Sequence, residues 1–178
     1  MSKLPPVLQN MSLPVIGSPL FIISNPKLVI EQCKAGVVGS MPALNARPAE
    51  LLDEWLAEIT VITSLGARED VNQAVHSWGG VVLHDIINNK FAHKAIEKGA
   101  DGLIAVAAGA GGHAGTKSPF ALIQEIRQWF DGPLALSGSI ASGGAILAAQ
   151  AMGADFAYIG SAFIATHEAR AQDAYKQA

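Results

Sequence analysis

The sequence predicts an α/β fold built on a parallel sheet, and three observations carry that expectation. Short apolar runs without polar alternation recur along the chain, as strands covered on both faces of a parallel sheet do. Helix-type segments separate them from end to end, the βα succession that right-handed crossovers connect. The composition is 50% hydrophobic, with 18 glycines and only 6% aromatic residues, which suits closely packed helices and strands more than a β-sandwich. A (β/α)8 barrel and an open doubly wound sheet both satisfy this pattern. In both, ligands bind at the carboxyl ends of the strands.

The elements follow in order. A strand at Val15–Ile22 leads to Asn25-Pro26, a capping residue followed by proline at the first helical position, which starts a helix over Pro26–Ala35. Gly36 stops that helix, and the apolar run Val37–Met41 is the next strand. A helix over Pro48–Ile59 then runs into the strand Val61–Leu65 with no Gly, Pro, Asn or Asp to turn the chain. Helices at Arg68–Ser77 and Lys90–Lys98 flank the strand Val81–Ile86, and Gly99 ends the second of them. The strand Leu103–Ala108 precedes a helix over Pro119–Phe130, opened by Ser118-Pro119 and closed by Gly132. Leu134–Ser137, a helix over Gly144–Met152 closed by Gly153, the strand Phe156–Ile159 and a helix over His167–Lys176 complete the series. Seven strands are recognisable where a closed barrel has eight, and the discontinuity falls at Thr60/Val61.

At 178 residues the chain is the size of one domain, spanning 1–178. Its net charge of −3 comes without a Lys/Arg cluster, so no nucleic-acid partner is expected. The lone Cys33 excludes an internal disulfide and fits a reducing compartment. Met1–Pro14 holds three prolines and no signal-peptide core, and the apolar window Pro14–Ile23 is too short to cross a bilayer. A soluble, cytoplasmic protein without a membrane partner is therefore expected. The five histidines have no i, i+4 pair and no HExxH spacing, so no metal site is expected. The first strand lacks Gly-x-Gly-x-x-Gly, and no Gly-x-Ser-x-Gly elbow has credible triad partners.

The chemistry concentrates after the later strands. Gly109 to Gly115 reads Gly-Ala-Gly-Gly-His-Ala-Gly, directly after Leu103–Ala108. Its bare backbone at Gly111 and Gly112 allows close approach to a ligand, and His113 is the one side chain there that titrates near neutrality. Two more strands end in Gly-Ser turns, Gly138-Ser139 and Gly160-Ser161. Paired turns of this kind on the last two strands offer backbone N–H groups and a helix N-terminus to a phosphate. His76 and His93 fall in polar helical segments and are expected in solvent, and His167 at the surface. His84 ends the run Val81-Val82-Leu83, ahead of Asp85, and is expected to point into the pocket of His113. A ligand contact and a structural role are equally open for it.

Taken together, Gly99–Val106, Ala110–Gly115, Ser137–Gly143, Gly153-Ala154-Asp155 and Ile159–Phe163 resemble the nitronate monooxygenases, formerly called 2-nitropropane dioxygenases. Pro14–Leu20 is similar to that family's first strand. The resemblance implies a TIM (β/α)8-type barrel, incomplete here because the third βα unit, about 40 residues, is missing at Thr60/Val61. It implies FMN as cofactor and the oxidation of alkyl nitronates by O2 to a carbonyl compound and nitrite. By the same resemblance His113 is the catalytic histidine, as a base or as a stabiliser of the nitronate anion. Gly111 and Gly112 border the flavin, and Gly138, Ser139, Gly160 and Ser161 hold its phosphate. Ser18, Pro19 and Leu20 lie under the isoalloxazine ring, and His84 stands where many members have a lysine near the flavin. The flavin-dependent enoyl-acyl-carrier-protein reductases share the fold and the histidine motif and are the rival enzymatic expectation. A truncated, non-catalytic flavin- or phosphate-binding protein is the third. A barrel lacking a strand has unpaired edges, which invite a homo-oligomer.

Overall fold

The computed structural model describes residues 3–48, 50–51, 68–77, 79–112 and 114–177. It divides into two compact units, one formed by Met1–Asn10 and Thr63–Tyr158, the other by Met11–Ile62 and Ile159–Ala178. The expected strand Val61–Leu65, most of the helix Pro48–Ile59 and the Thr60/Val61 junction lie outside the described residues.

The first unit is a succession of βα pairs: α2 (Glu69–Ser77), β2 (Leu83–Ile86), α3 (Asn89–Glu97), β3 (Gly102–Val106), α4 (Pro119–Arg127), β4 (Leu134–Ser137), α5 (Gly143–Met152) and β5 (Phe156–Ile159). From β3 onward each strand pairs in parallel with the one before it, with Asp85 opposite Ile104, Ile104 opposite Ala135 and Ala135 opposite Phe156. Such stepwise addition is the arrangement of a barrel; a doubly wound sheet reverses direction partway. One face of the sheet is sealed by helices. Val82, Ile86, Leu103, Ala105, Leu134 and Leu136 pack with Ala92 and Ala95 of α3, Leu122, Ile123 and Ile126 of α4, and Ala149 of α5. Full burial of each Leu or Ile contributes roughly 1.5–3 kcal/mol.

Local chemistry explains where the elements begin and end. Asn88 and Ser142 cap α3 and α5 through their side chains, accepting from Phe91 N at 3.0 Å and Ala145 N at 3.2 Å. Ser118 makes no such bond, so α4 starts on the φ fixed by Pro119. The two Gly-Ala-Asp triplets turn out to be the same device used twice. Gly99 and Gly153 take left-handed φ values of 87° and 111° after α3 and α5. Ala100 N and Ala154 N then reach back to Ala95 O and Ala149 O at 3.1 and 3.0 Å, completing a Schellman stop. The aspartate clamps the neighbouring strand: Asp101 Oδ2 accepts from Val82 N at 2.8 Å, and Asp155 Oδ2 from Leu134 N at 2.9 Å. A nitrogen-bearing side chain completes each clamp, His76 at 2.8 Å from Asp101 and Arg127 at 2.7 Å from Asp155.

The second unit contains β1 (Val15–Gly17), α1 (Pro26–Lys34) and two one-turn helices, α6 (Ser161–Ile164) and α7 (Asp173–Lys176). Asn25 caps α1, accepting from Leu28 N at 3.3 Å, as the Asn25-Pro26 pair predicts. The expected strand Val15–Ile22 stops at Gly17, because Pro19 has no N–H to donate and Leu20 N turns to Ser24 Oγ at 2.9 Å. Val37–Met41 reduces to a single bridge between Val38 and Ile16; a Cβ on Gly39 would lie 2.6 Å from Val29 O, so the chain is held there against α1. Of the expected helix His167–Lys176 only α7 is helical. Within this same unit Ser18 N donates to Ile159 O at 2.7 Å. Among the described residues no helix is long and apolar enough to cross a membrane.

Candidate functional site

In the first unit the loop after β3 folds back on the strand that launches it. Gly115 N donates to Val106 O at 3.0 Å and Ala108 N to Lys117 O at 2.9 Å, while Lys117 is fixed from α4 by Glu125 at 2.6 Å. Gly115 must be glycine for this closure, since a Cβ there would lie 2.9 Å from both Ile87 O and Val106 O. The turn after β4 is tied to the same loop. Ser139, at a φ of 50°, donates both its N–H (3.0 Å) and its hydroxyl (2.9 Å) to Gly109 O. Gly138, at a φ of 149°, lies so close to Ala108 O that a Cβ would be 3.0 Å away.

The structure therefore brings Gly138-Ser139 and the glycine loop into one construction. Ser139 serves as its tie, with both donors spent inside the protein. Around this tie the backbone is bare: a Cβ on Gly111, Gly112 or Gly143 would meet nothing within 4 Å among the described residues. The N–H groups of Gly143 and Gly144 open α5, where no intrahelical carbonyl receives them. Open space beside glycine backbone and a helix start is a cradle that a flavin phosphate fits. His113, the side chain this loop exists to present on the sequence evidence, lies outside the described residues.

His84 departs from expectation in position. β2 continues to Ile86, so His84 is second in the strand, in register with Leu103 rather than at the carboxyl end. Strand alternation puts it on the face of Val82 and Ile86, which the helices cover, and turns Asp85 to the opposite face with Ile104. Burial pushes the imidazole of His84 below its usual value, against the opposing charge of Asp85. Two other histidines are engaged rather than merely solvated: His76 bonds Asp101, and His93 stacks on Trp129 with ring centroids 3.8 Å apart. Among the described residues no group of His, Cys, Asp or Glu is arranged to hold a metal ion.

The second unit gathers the remaining candidates. A Cβ on Gly160 would lie 3.1 Å from Leu20 Cδ2 and 3.4 Å from Ser18 Cβ, so the turn after β5 sits directly against the Ser18-Pro19-Leu20 segment. Ser161 opens the one-turn α6 and is exposed. Sequence reasoning missed the residue that shapes this edge. Asn45 accepts from Ile22 N at 2.7 Å and donates to Leu20 O at 3.0 Å and to Ser24 O at 2.8 Å, bracing the loop that follows Leu20. No motif marks it, because its partners are backbone groups more than twenty residues away.

Solved structures carry the same fold. The chain superposes on FabK from Thermotoga maritima with a TM-score of 0.83 at 21% identity, covering 96% of this chain and 65% of that one. For a nitroalkane oxidase from Streptomyces ansochromogenes the values are 0.83 and 22%, covering 96% and 71%. An IMP dehydrogenase/GMP reductase-like protein from Corynebacterium glutamicum is more distant, with a TM-score of 0.66 at 17% identity over 89% of this chain and 66% of that one. The chain thus spans about two thirds of the length of these proteins, and the fold is a TIM-barrel type that is incomplete, with five strands among the described residues. No curated protein matches the sequence. The family model for nitronate monooxygenase matches residues 45–178, three quarters of the chain and all of the later strand-end turns, and on that match the chain belongs to the nitronate monooxygenase family.

Proposed function

We propose that the chain is an FMN-dependent oxidoreductase that oxidises alkyl nitronates with O2 to a carbonyl compound and nitrite. The observation that carries this is the tie between Ser139 and Gly109, which fixes the Ala-Gly-Gly-His loop to the Gly-Ser turn and leaves Gly111, Gly112 and Gly143 facing open space. FMN, when bound, supplies the transfer of electrons between nitronate and O2. The chain's own residues position and polarise. Backbone at Gly111, Gly112, Gly138 and Gly143, with Gly160 and Ser161, holds the cofactor; Ser18, Pro19 and Leu20 support its ring system. Ser139 maintains the cradle instead of donating to the phosphate. His113 removes the α-proton of a neutral nitroalkane or, protonated, stabilises the nitronate anion. We leave His84 out of this set. Its lowered pKa favours the neutral form near pH 7, and strand alternation faces it toward the helices, so it is unsuited to balance the charge of a reduced flavin.

Nitrite release from propyl-2-nitronate, measured beside the flavin content of the same sample, tests the proposal. His113→Asn should keep the flavin while turnover falls at least about a hundredfold, the ordinary contribution of a positioned acid or base. Full activity in that variant overturns the role of His113. Rapid anaerobic bleaching of the flavin by NADH or NADPH, without nitrite release in air, would favour the enoyl-reductase chemistry instead.

A further inference from the structure

A second feature of the second unit has no part in the fold. Beyond Leu20 the chain displays Phe21 and Ile22 to solvent, with 54% and 65% of their surfaces exposed. Ile22 holds a φ of 67°, a left-handed conformation in which a β-branched residue is strained. Such strain persists only where the surroundings impose it. Here Asn45 does so, through its three backbone hydrogen bonds across Leu20–Ser24. Arg47 lies over this tip, its guanidinium carbon 5.6 Å from the centroid of the Phe21 ring and its Nε donating to Leu44 O at 3.2 Å. Among the described residues no carboxylate lies within ion-pair distance of Arg47, whereas Arg68 and Arg127 both have one. Leu44, 56% exposed, adds a third apolar surface beside the same cation.

We propose that Arg47, Phe21 and Ile22 form a specificity subsite for a planar two-oxygen anion carrying an apolar substituent. The guanidinium fork matches such an anion in geometry as well as charge, and the Phe21-Ile22 ledge gives the substituent a surface to leave water for. The location follows from the chain: the tip continues Ser18-Pro19-Leu20, which packs on Gly160. On the nitronate reading, on which this inference rests, the subsite selects secondary and longer-chain nitronates over the smallest ones.

Inert carboxylates have the same two-oxygen anionic head and separate binding from turnover. Calorimetric titration of the flavin-loaded protein with acetate, butanoate and hexanoate at constant ionic strength should show affinity rising about threefold per methylene, somewhat less than full burial gives. Arg47→Gln should weaken all three about tenfold with flavin content unchanged. Phe21→Ala should leave acetate binding intact and flatten the dependence on chain length. Ile22→Gly removes the strain while keeping the N–H that Asn45 receives, and should flatten it likewise in a protein at least as stable. Unchanged affinities in Arg47→Gln, loss of flavin in that variant, an unaltered chain-length slope in Phe21→Ala, or no saturable binding to the wild type would each overturn the subsite. Carboxylate binding with this pattern but no nitrite release would preserve the subsite and sink the nitronate activity alone.

Discussion

The two Gly-Ala-Asp clamps share a backbone geometry but differ in exposure, and that difference sets what each side-chain partner of the aspartate is worth. Arg127 donates to Asp155 Oδ2 at 2.7 Å and also to Gly153 O, Gly132 O and Phe130 O at 2.7, 2.8 and 3.1 Å, with side-chain exposures of 19% for Arg127 and 13% for Asp155. Arg127→Met fills most of the same volume but strips a largely buried carboxylate of its guanidinium, a change that costs about 3–5 kcal/mol. With a urea m-value of about 2 kcal/mol per molar, the midpoint should fall by about 1.5–2.5 M. In the other clamp His76 and Asp101 are 39% and 37% exposed, so solvent screens the pair, and His76→Ala should cost less than about 1 kcal/mol. Its midpoint should move by less than about 0.5 M. Urea unfolding followed by far-ultraviolet circular dichroism at pH 7 compares the two. Adding Asp155→Asn to Arg127→Met removes the negative charge but keeps an acceptor for Leu134 N, and should recover part of the loss. Equal shifts for Arg127→Met and His76→Ala, or a double variant less stable than Arg127→Met, would refute the assignment of cost to buried charge.

Three further outcomes rest on the same structure. Gly138→Ala sets a side chain at a φ of 149° and 3.0 Å from Ala108 O, and should destabilise by about 1–3 kcal/mol in the same urea assay. Gly143→Ala meets nothing within 4 Å at the start of α5, so stability should hold or rise by up to about 1 kcal/mol while FMN affinity, read by fluorescence titration, falls. Stability should also depend on pH through His84. Burial lowers its folded pKa beneath the unfolded value near 6.5, so the unfolded chain takes up the proton first as pH falls. The contribution is full above about pH 6.5 and is lost on acidification toward the folded pKa. His84→Gln should flatten that acid limb relative to the wild type, and identical limbs would count against a buried imidazole.

Much of this was legible in the chain because the signals are local. Unbroken runs such as Leu103–Val106 and Leu134–Ser137, punctuated by Gly99, Gly132 and Gly153, place β3, β4 and β5 and the two helices between them to within a few residues. The grouping of Gly138-Ser139 with the Gly109–Gly115 loop was legible too, since strand-end turns on adjacent strands share one sheet edge. What was not legible depends on partners far away in sequence. Nothing in Val37–Met41 announces that Gly39 lies against α1 and limits pairing to one bridge. The facing of His84 was not legible because it depends on which side of the sheet the helices cover, and the pairing of β2 with β3 sets it with Leu103, on the side of Val82 and Ile86. Asn45 and Arg47 were invisible for the same reason: their importance lies in Ile22 N, Leu20 O and the Phe21 ring.

The glycines show which parts of a family signature serve the fold and which face outward. Gly153 ends a helix in a conformation other residues resist, and Gly138 sits where a Cβ would press on Ala108 O; the protein's own packing accounts for both. Gly111 and Gly143 are different. Neither has a positive φ, and neither has a neighbour that a methyl group would touch. An alanine would cost nothing at either position in the protein alone, and in the first turn of α5 it would favour the helix. Their bareness therefore has no cause inside the described fold. They flank a place where, among the described residues, two strand-end turns are hydrogen-bonded to each other, and on the proposed function a cofactor pressing against backbone there is the physical reason for the absence of a side chain.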